Sequence, residues 1–207
     1  MATLTTTHTT AAREDEIKRV EAALTANNIE TIVVDNAEQA RAKVLELVPE
    51  GSEVHSGKSK TLEDLDLFDL FHQSGRYNSV RARYLGMDRR TQHDDIRRIS
   101  SSPDYMLGSV QAVTLDGALV TASYSASQIG PYASGAGRLI LVIGSQKIVP
   151  DLDEALRRIN QHVLPYEDER LRAQMGVPTK LAKVLITYAE AMAGRTTVIL
   201  VREPIGV

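Results

Sequence analysis

The stretch RLILVIG, residues 138–144, carries five consecutive apolar side chains between an arginine and a glycine. A strand with one face in water alternates polar and apolar residues, whereas this run is apolar throughout. It therefore predicts a central strand covered on both faces. Further strands are predicted by short runs rich in β-branched residues at 30–35 (ETIVVD), 52–56 (SEVHS) and 196–201 (TTVILV).

Helical patterns separate these runs. Apolar residues recur at helical spacing in residues 14–24, 36–51, 61–75, 151–163 and 180–192. Strands that alternate with helices predict βαβ units with parallel strands. Residues 109–122 differ, because two β-branched runs flank Asp116-Gly117, a dipeptide favoured in tight hairpin turns. The predicted fold class is α/β, an open, mixed, mostly parallel sheet with helices on both faces and a β-hairpin insertion.

Two segments have weaker patterns. Residues 78–85 favour a strand. Residues 88–100 favour a polar helix in which arginines and aspartates alternate. We interpret that helix as a solvated face with ion pairs along it rather than as a binding patch.

The chain of 207 residues suits one domain. We assign residues 13–207 to that domain and the Thr-rich residues 1–12 to a flexible tail. No cysteine is present, which excludes disulfides, a thiolate nucleophile and an iron–sulfur cluster held by this chain alone. We therefore expect no cofactor and no metal.

The net charge of −3 does not favour nucleic-acid binding. The sequence shows neither a secretory signal nor an apolar run of membrane-spanning length. We expect a cytoplasmic protein without nucleic-acid or membrane partners.

The first candidate site is the turn Gly57-Lys58-Ser59, between a predicted strand and a predicted helix. A phosphate-binding P-loop would need a glycine at position 52, where serine stands, so nucleotide binding by that motif is not expected. A turn of this kind still places backbone N–H groups and a lysine where a phosphate or carboxylate can bind. A capped turn with a solvated lysine is the alternative. His55 lies at the end of the preceding strand, and we interpret it as structural.

The second candidate is the loop of residues 123–137 (SYSASQIGPYASGAG), which is rich in small and hydroxyl side chains. Long loops inside compact domains are usually functional or disordered, and this one precedes a buried strand. Ser125, Ser127 and Gln128 could orient an anion there. Lys147, just after the central strand, could neutralise it. A plain connecting loop is the alternative.

Three segments carry a resemblance to a known family: residues 108–120 (GSVQAVTLDGALV), 138–159 (RLILVIGSQKIVPDLDEALRRI) and 194–206 (GRTTVILVREPIG). They resemble the shorter branch of the lactate-utilisation (LUD) domain family, and residues 57–62 are similar to its Gly/Ser-Thr-Leu turn. The resemblance implies the fold of the sugar-phosphate isomerase and CoA-transferase-like superfamily. It also implies a link to lactate oxidation, with iron–sulfur or flavin partner subunits.

The chain departs from the family pattern at two places. Relatives commonly carry Asp-Gly-x-Gly-Asn-Arg where this chain has residues 123–128 (SYSASQ), so a carboxylate and an arginine are missing. Relatives also often have cysteines near the position of Pro178, where this chain has none. Chemistry that depends on those groups is therefore in doubt here.

Three functional hypotheses follow. The first is an accessory or small-anion-binding component of lactate or 2-hydroxyacid utilisation. The second is an isomerase- or transferase-like enzyme acting on a phosphosugar or acyl-CoA, which would need a base or nucleophile that the loop lacks. The third is a non-catalytic module that binds a partner protein or forms a homo-oligomer. The predicted ligand-binding residues are Gly57, Lys58, Ser59, Ser125, Ser127, Gln128 and Lys147.

Overall fold

The computed structural model of the chain describes residues 8–207. Its strands are β1 (Glu30–Val34), β2 (Glu53–Ser56), β3 (Asn78–Ser79), β4 (Tyr105–Gly108), β5 (Ala112–Thr114), β6 (Leu119–Ser123), β7 (Arg138–Gly144), β8 (Ile148–Val149), β9 (Lys183–Thr187) and β10 (Thr196–Val201). Its α-helices are α1 (Glu14–Ala26), α2 (Ala37–Leu47), α3 (Lys60–Asp64), α4 (Leu67–Gln73), α5 (Val80–Leu85), α6 (His93–Ser101), α7 (Leu152–Arg158) and α8 (Leu164–Met175). Short π-helical segments cover Pro131–Gly135 and Ile159–Val163, and a 3-10 turn covers Ser145–Lys147.

Six parallel strands form the main sheet, in the order β1-β10-β7-β4-β2-β3. As the continuous apolar run predicts, β7 lies inside this sheet between β10 and β4. The predicted α/β class with a mostly parallel sheet is confirmed.

Alternate residues of β7 face opposite layers. Ile140 and Val142 belong to a core shared with α2, α3 and α4. Leu139, Leu141 and Ile143 belong to a second core shared with α1 and the β5–β6 hairpin. Because the strand side-chain period is two residues, a strand between two such layers has to be apolar at every position.

The hairpin belongs to a smaller second sheet, in the order β8-β5-β6-β9. Strands β5 and β6 are antiparallel, and β8 joins β5 in parallel. Gly117 takes the left-handed conformation, with φ 86°, that the tight turn requires. The outer face of this sheet packs Ala112 and Val120 against Ala155 and Ile159. The predicted hairpin thus forms the two central strands of the second sheet.

Two predicted elements are wrong. Residues 180–192 do not form a helix, because Lys183–Thr187 is strand β9, paired antiparallel with β6. Within residues 78–85 only Asn78–Ser79 is strand, and Val80–Leu85 is helix α5. The Ser79 hydroxyl caps that helix by accepting the N–H of Ala82 at 3.1 Å.

Two other segments differ in detail. The predicted helix of residues 61–75 is divided into α3 and α4 at Asp66, whose φ is 52°. Of the predicted flexible tail, residues 1–7 lie outside the described residues. His8 is buried, and the N–H of Ala12 donates to Ser145 Oγ at 3.1 Å. For residues 8–12 the structure therefore differs from the predicted tail.

Candidate functional site

Three neighbouring strands of the main sheet end at the same edge. The turn of residues 57–61 follows β2, Ser109 follows β4, and Lys147 lies in the 3-10 turn after β7. These strands are adjacent, in the order β7-β4-β2, and they are parallel. Ligands of open α/β sheets bind at the carboxyl ends of the strands. The topology therefore gathers these side chains where this fold class binds ligands.

A cavity of about 70 Å³ lies between these turns, and we name it the lysine cavity. Its lining residues are Gly57, Lys58, Ser59, Lys60, Thr61, Ser109, Val110, Gln111, Gln128, Tyr132, Lys147, Val163, Glu167 and Val207. At its base the Lys147 amine donates to the hydroxyl oxygens of Thr61, at 2.9 Å, and Ser109, at 3.0 Å. Groups from three strand ends thus converge on one nitrogen atom.

Lys147 has an unusual electrostatic environment. Its side chain is 2% exposed, and in residues 8–207 no carboxylate forms an ion pair with it within 4.0 Å. Burial above all, and then the positive charge of Arg158, lowers the pKa of Lys147 from 10.5 to about 7, while Asp64 acts in the opposite direction. Near neutral pH both the charged and the neutral form of this amine are therefore populated.

Tyr132 forms a rigid wall of the lysine cavity. Its phenol is 5% exposed and donates to the backbone oxygen of Ser109 at 3.3 Å. Burial raises the pKa of Tyr132, so the phenol stays neutral. Gly108 makes this arrangement possible, because a Cβ atom at that position would overlap the Tyr132 hydroxyl.

The loop of residues 123–137 is held at both ends. At its start, Ser123 and Ser127 donate to the side-chain oxygen of Gln128 at 3.3 and 3.2 Å. At its end, the Arg195 guanidinium donates to the backbone oxygens of Pro131, at 2.8 Å, and Tyr132, at 3.0 Å. These contacts order the loop beside the Gly57 turn.

A buried ion pair supports the Arg195 contacts. Arg195 Nη1 lies 2.6 Å from Glu190 Oε1, and Glu190 also accepts the Thr196 hydroxyl at 2.5 Å. The side chains of both ion-pair partners are about nine-tenths buried. The pair therefore fixes the guanidinium that anchors the loop.

Glu167 of α8 brings a carboxylate to the lysine cavity. Arg170 holds it in an ion pair at 2.6 Å. Glu167 also lines a neighbouring cavity of about 270 Å³, together with Ser125 and Gln128. A carboxylate thus lies within reach of the 123–137 loop, although its source is a helix distant in sequence.

A chain of buried hydroxyls supports β2 from within. Ser56 Oγ and His72 Nε2 are 2.6 Å apart, and His72 Nδ1 and Ser79 Oγ are 2.7 Å apart. Burial, followed by the charges of Arg81 and His55, lowers the pKa of His72 to about 4, so the ring is neutral at pH 7. Both ring nitrogens are occupied, and the histidine joins the end of β2 to the cap of α5.

The profile that describes the LUD domain matches residues 17–201. The chain belongs to the LUD domain family. The family predicted from residues 108–120 and 138–159 is therefore confirmed.

Among solved structures, the LUD domain described here is similar to a DUF162 family protein from Deinococcus radiodurans. The two are 13% identical with a TM-score of 0.50, and the alignment covers 93% of this chain and 99% of the other. At that identity the likeness concerns the fold alone. Comparison with curated protein sequences gave no significant match.

The LUD domain brings most of the predicted site residues together. Gly57, Lys58, Ser59, Gln128 and Lys147 all line the lysine cavity. A Cβ atom on Gly57 would lie 3.7 Å from Gln128 Cβ, so the two predicted turns are in contact. Lys58 Nζ already has partners, since it donates to Gln174 at 3.1 Å and lies 3.9 Å from Glu63.

Ser125 and Ser127 line a different cavity. It has a volume of about 580 Å³, and we name it the arginine cleft after Arg81, Arg89 and Arg97 in its wall. The two serines hydrogen-bond to each other at 3.3 Å. Gly57 and Lys58 line both the lysine cavity and the arginine cleft.

Several residues that line the lysine cavity were not predicted from the sequence. Thr61, Ser109 and Tyr132 belong to ordinary helix, strand-end and loop patterns, and no local signal distinguishes them. Glu167 lies on a helix that has no other residue in the predicted site.

In residues 8–207 we find no group of three or more His, Asp or Glu side chains suited to a metal ion. No helix in that range has the length and apolar character needed to cross a membrane.

Proposed function

We propose that this LUD domain binds a small organic anion of the 2-hydroxyacid type, such as lactate, in the lysine cavity. The observation that carries the proposal is the buried Lys147 amine, which has hydroxyl partners but no carboxylate within 4.0 Å among the described residues. A buried ammonium without a counter-charge is costly to the folded state. An incoming carboxylate would supply the missing charge and would favour the protonated amine.

The other groups in the lysine cavity suit the same class of ligand. Thr61, Ser109 and Ser59 offer hydroxyls, and Gln128 offers an amide that can hydrogen-bond a carboxylate or a hydroxyl group. A cavity needs only about 10–15 Å³ to admit a water molecule, so about 70 Å³ accommodates several non-hydrogen atoms. These features support a small ligand in preference to a large cofactor.

The proposal extends to the role of the protein in the cell. The resemblance of the chain to lactate-utilisation domains implies iron–sulfur or flavin subunits as partners. The 207 residues contain no cysteine for such a cluster, so we assign electron transfer to a partner. We propose a cytoplasmic accessory component that captures the hydroxyacid or the oxoacid made from it.

Thermal stabilisation tests the binding proposal. Lactate and pyruvate should raise the midpoint of unfolding of the wild-type protein in proportion to the logarithm of ligand concentration over Kd. Lys147→Met should abolish the shift, because it removes the amine while it keeps an unbranched side chain of similar length. Lys18→Met on α1, which lines none of the cavities described, should behave like wild type. No shift with any small anion would reject the proposal and favour a partner-binding module.

An isomerase- or transferase-like enzyme is the second candidate, and Glu167 favours it. The structure brings this carboxylate to the same cavity as Lys147, whose neutral form can accept a proton. Incubation of lactate or a phosphosugar with the protein in D₂O would reveal proton abstraction as deuterium uptake at carbon. Glu167→Gln should stop that uptake and leave binding intact. Absence of uptake would reject this candidate.

A further inference from the structure

The arginine cleft is a second, larger cavity beside the lysine cavity. Arg81 comes from α5, Arg89 from the segment that follows it, and Arg97 from α6. Lys58 of the Gly57 turn and Ser127 of the 123–137 loop also line the cleft. Four cationic side chains thus meet in one depression.

The charge of this cleft is only partly compensated, by Asp94 at 3.7 Å from Arg97 and by Glu63 at 3.9 Å from Lys58, neither of which lines the cleft. None of its lining residues is Asp or Glu. Within residues 8–207, neither Arg81 nor Arg89 has an ion pair within 4.0 Å. Each guanidinium instead lies over an aromatic ring, Arg81 5.1 Å from the centre of Phe68 and Arg89 5.7 Å from that of Tyr84. Such stacking holds a guanidinium in place and leaves its N–H groups free for an anion.

His55 supplies an independent observation. It lies at the carboxyl end of β2, is 2% exposed and lines the cleft. Its Nδ1 atom has no hydrogen-bond partner among the described residues. A buried polar atom without a partner is unfavourable for the folded state, and a bound ligand that hydrogen-bonds to it would remove that penalty. Its ring is held edge-on against Tyr84, with centres 5.8 Å apart.

We propose that the arginine cleft binds the phosphate groups of a small phosphorylated ligand of nucleotide size. Arg81, Arg89 and Arg97 would hold the phosphate oxygens, because a guanidinium pairs with two of them at once, and His55 Nδ1 would form a further hydrogen bond. The cleft, at about 580 Å³, exceeds the needs of a free phosphate ion and falls in the range of about 300–1,000 Å³ typical of small-molecule sites. The site is separate from the proposed hydroxyacid site, although the two share Gly57 and Lys58.

Calorimetric titration at constant ionic strength tests the proposal with pyrophosphate, ADP and uncharged adenosine as probes. Pyrophosphate and ADP should bind, and adenosine should not. Arg97→Gln should weaken ADP binding by about tenfold or more. Arg98→Gln is the matched control, since Arg98 neighbours Arg97 on α6 but does not line the cleft, and it should change the affinity less than twofold. Equal weakening by both variants would show that the effect comes from the loss of a positive charge near the cleft and not from a contact inside it. That result would overturn the proposal.

His55→Phe gives a second and independent readout. It keeps the ring against Tyr84 and removes the unpartnered nitrogen. The free protein should become more stable while ADP binding weakens. Unchanged ADP affinity in this variant would remove His55 from the site. Failure of both pyrophosphate and ADP to bind would overturn the proposal, as would binding of an RNA oligonucleotide without binding of ADP.

Two variants separate this proposal from the hydroxyacid proposal. Lys147→Met should abolish the lactate effect and retain ADP binding. Arg81→Gln should weaken ADP binding and retain the lactate effect. If one of the two ligands does not bind, the binding result for the other can therefore still be interpreted.

Discussion

The amine nitrogen of Lys147 lies 2.9 Å from the hydroxyl oxygen of Thr61, inside the protein and beyond the end of the central strand β7. This hydroxyl can accept a hydrogen bond from the amine in either protonation state, but it cannot neutralise the charge of an ammonium. Burial, and then the positive charge of Arg158, lowers the pKa of Lys147. The lowered pKa leads to a measurable dependence of stability on pH.

Stability should rise with pH through the titration of Lys147. Its pKa is about 7 in the folded protein and 10.5 in the unfolded chain, so between these values the unfolded state binds more protons. The free energy of unfolding must then increase with pH in this window and level off below about pH 7. Relative to Lys147→Met, wild type should gain roughly 2–3 kcal/mol between about pH 6 and about pH 9. Urea unfolding at both pH values measures this gain, and parallel behaviour of the two proteins would contradict it.

Anion binding should be accompanied by proton uptake. If the charged form of Lys147 receives the carboxylate, binding above pH 7 must first protonate the amine. The affinity for lactate should then fall by about tenfold for each pH unit above the pKa of the lysine. Titration calorimetry at about pH 8 in buffers of different ionisation enthalpy should give different apparent enthalpies. Identical enthalpies in all buffers would exclude Lys147 as the group that receives the anion.

Removal of the Arg195 side chain should destabilise the protein and loosen the loop of residues 123–137. Arg195→Met leaves the Glu190 carboxylate buried without its partner, at an expected cost of about 3–5 kcal/mol in the free energy of unfolding. Glu190→Gln combined with Arg195→Met should recover part of that loss. Hydrogen exchange at residues 132–136 should increase in both variants, because Arg195 donates to the carbonyls of Pro131 and Tyr132. Unchanged exchange would show that the loop does not depend on this anchor.

Gly108→Ala should be destabilising because its Cβ atom would overlap the Tyr132 hydroxyl. Forced overpacking of this kind costs about 1–3 kcal/mol. The cost should be smaller in a Tyr132→Phe background, where the hydroxyl is absent. Gly57→Ala is the control, since its Cβ would meet Gln128 at an ordinary 3.7 Å. Equal costs for Gly108→Ala in the two backgrounds would show that the hydroxyl is not the obstacle.

The strands of the main sheet were predictable where burial on both faces leaves a continuous apolar run. Residues 138–144 and 196–201 are the clearest examples, and both form strands of the main sheet. The errors arose where local spacing admits two structures. In residues 180–192, Leu181, Val184 and Leu185 fit a helical pattern, yet β9 forms because β6 offers a partner in the second sheet. That partner is about sixty residues earlier and leaves no trace in the local pattern.

Part of the candidate site followed from the same logic. The Gly57 turn and Lys147 were each predicted from their position after a predicted strand, and the structure brings them together because parallel strands end at one edge of a sheet. Arg97 was assigned to a solvated face because a charged helix usually is one. Arg97 does pair along the helix, with Asp94 at 3.7 Å, as Arg98 does with Asp95 at 3.4 Å, and it also lines the arginine cleft. Which charged residues of α6 turn toward a cleft depends on how the helix packs, and that information resides in distant segments.

Gly57 and Lys58 stand in the wall that the lysine cavity and the arginine cleft have in common. Ligands on the two sides of this wall are joined by a thermodynamic cycle. Whatever factor a phosphorylated ligand applies to the affinity for a hydroxyacid, the hydroxyacid must apply to the affinity for the phosphorylated ligand. If both proposed sites bind their ligands, these two residues are where binding at one site would change the affinity at the other.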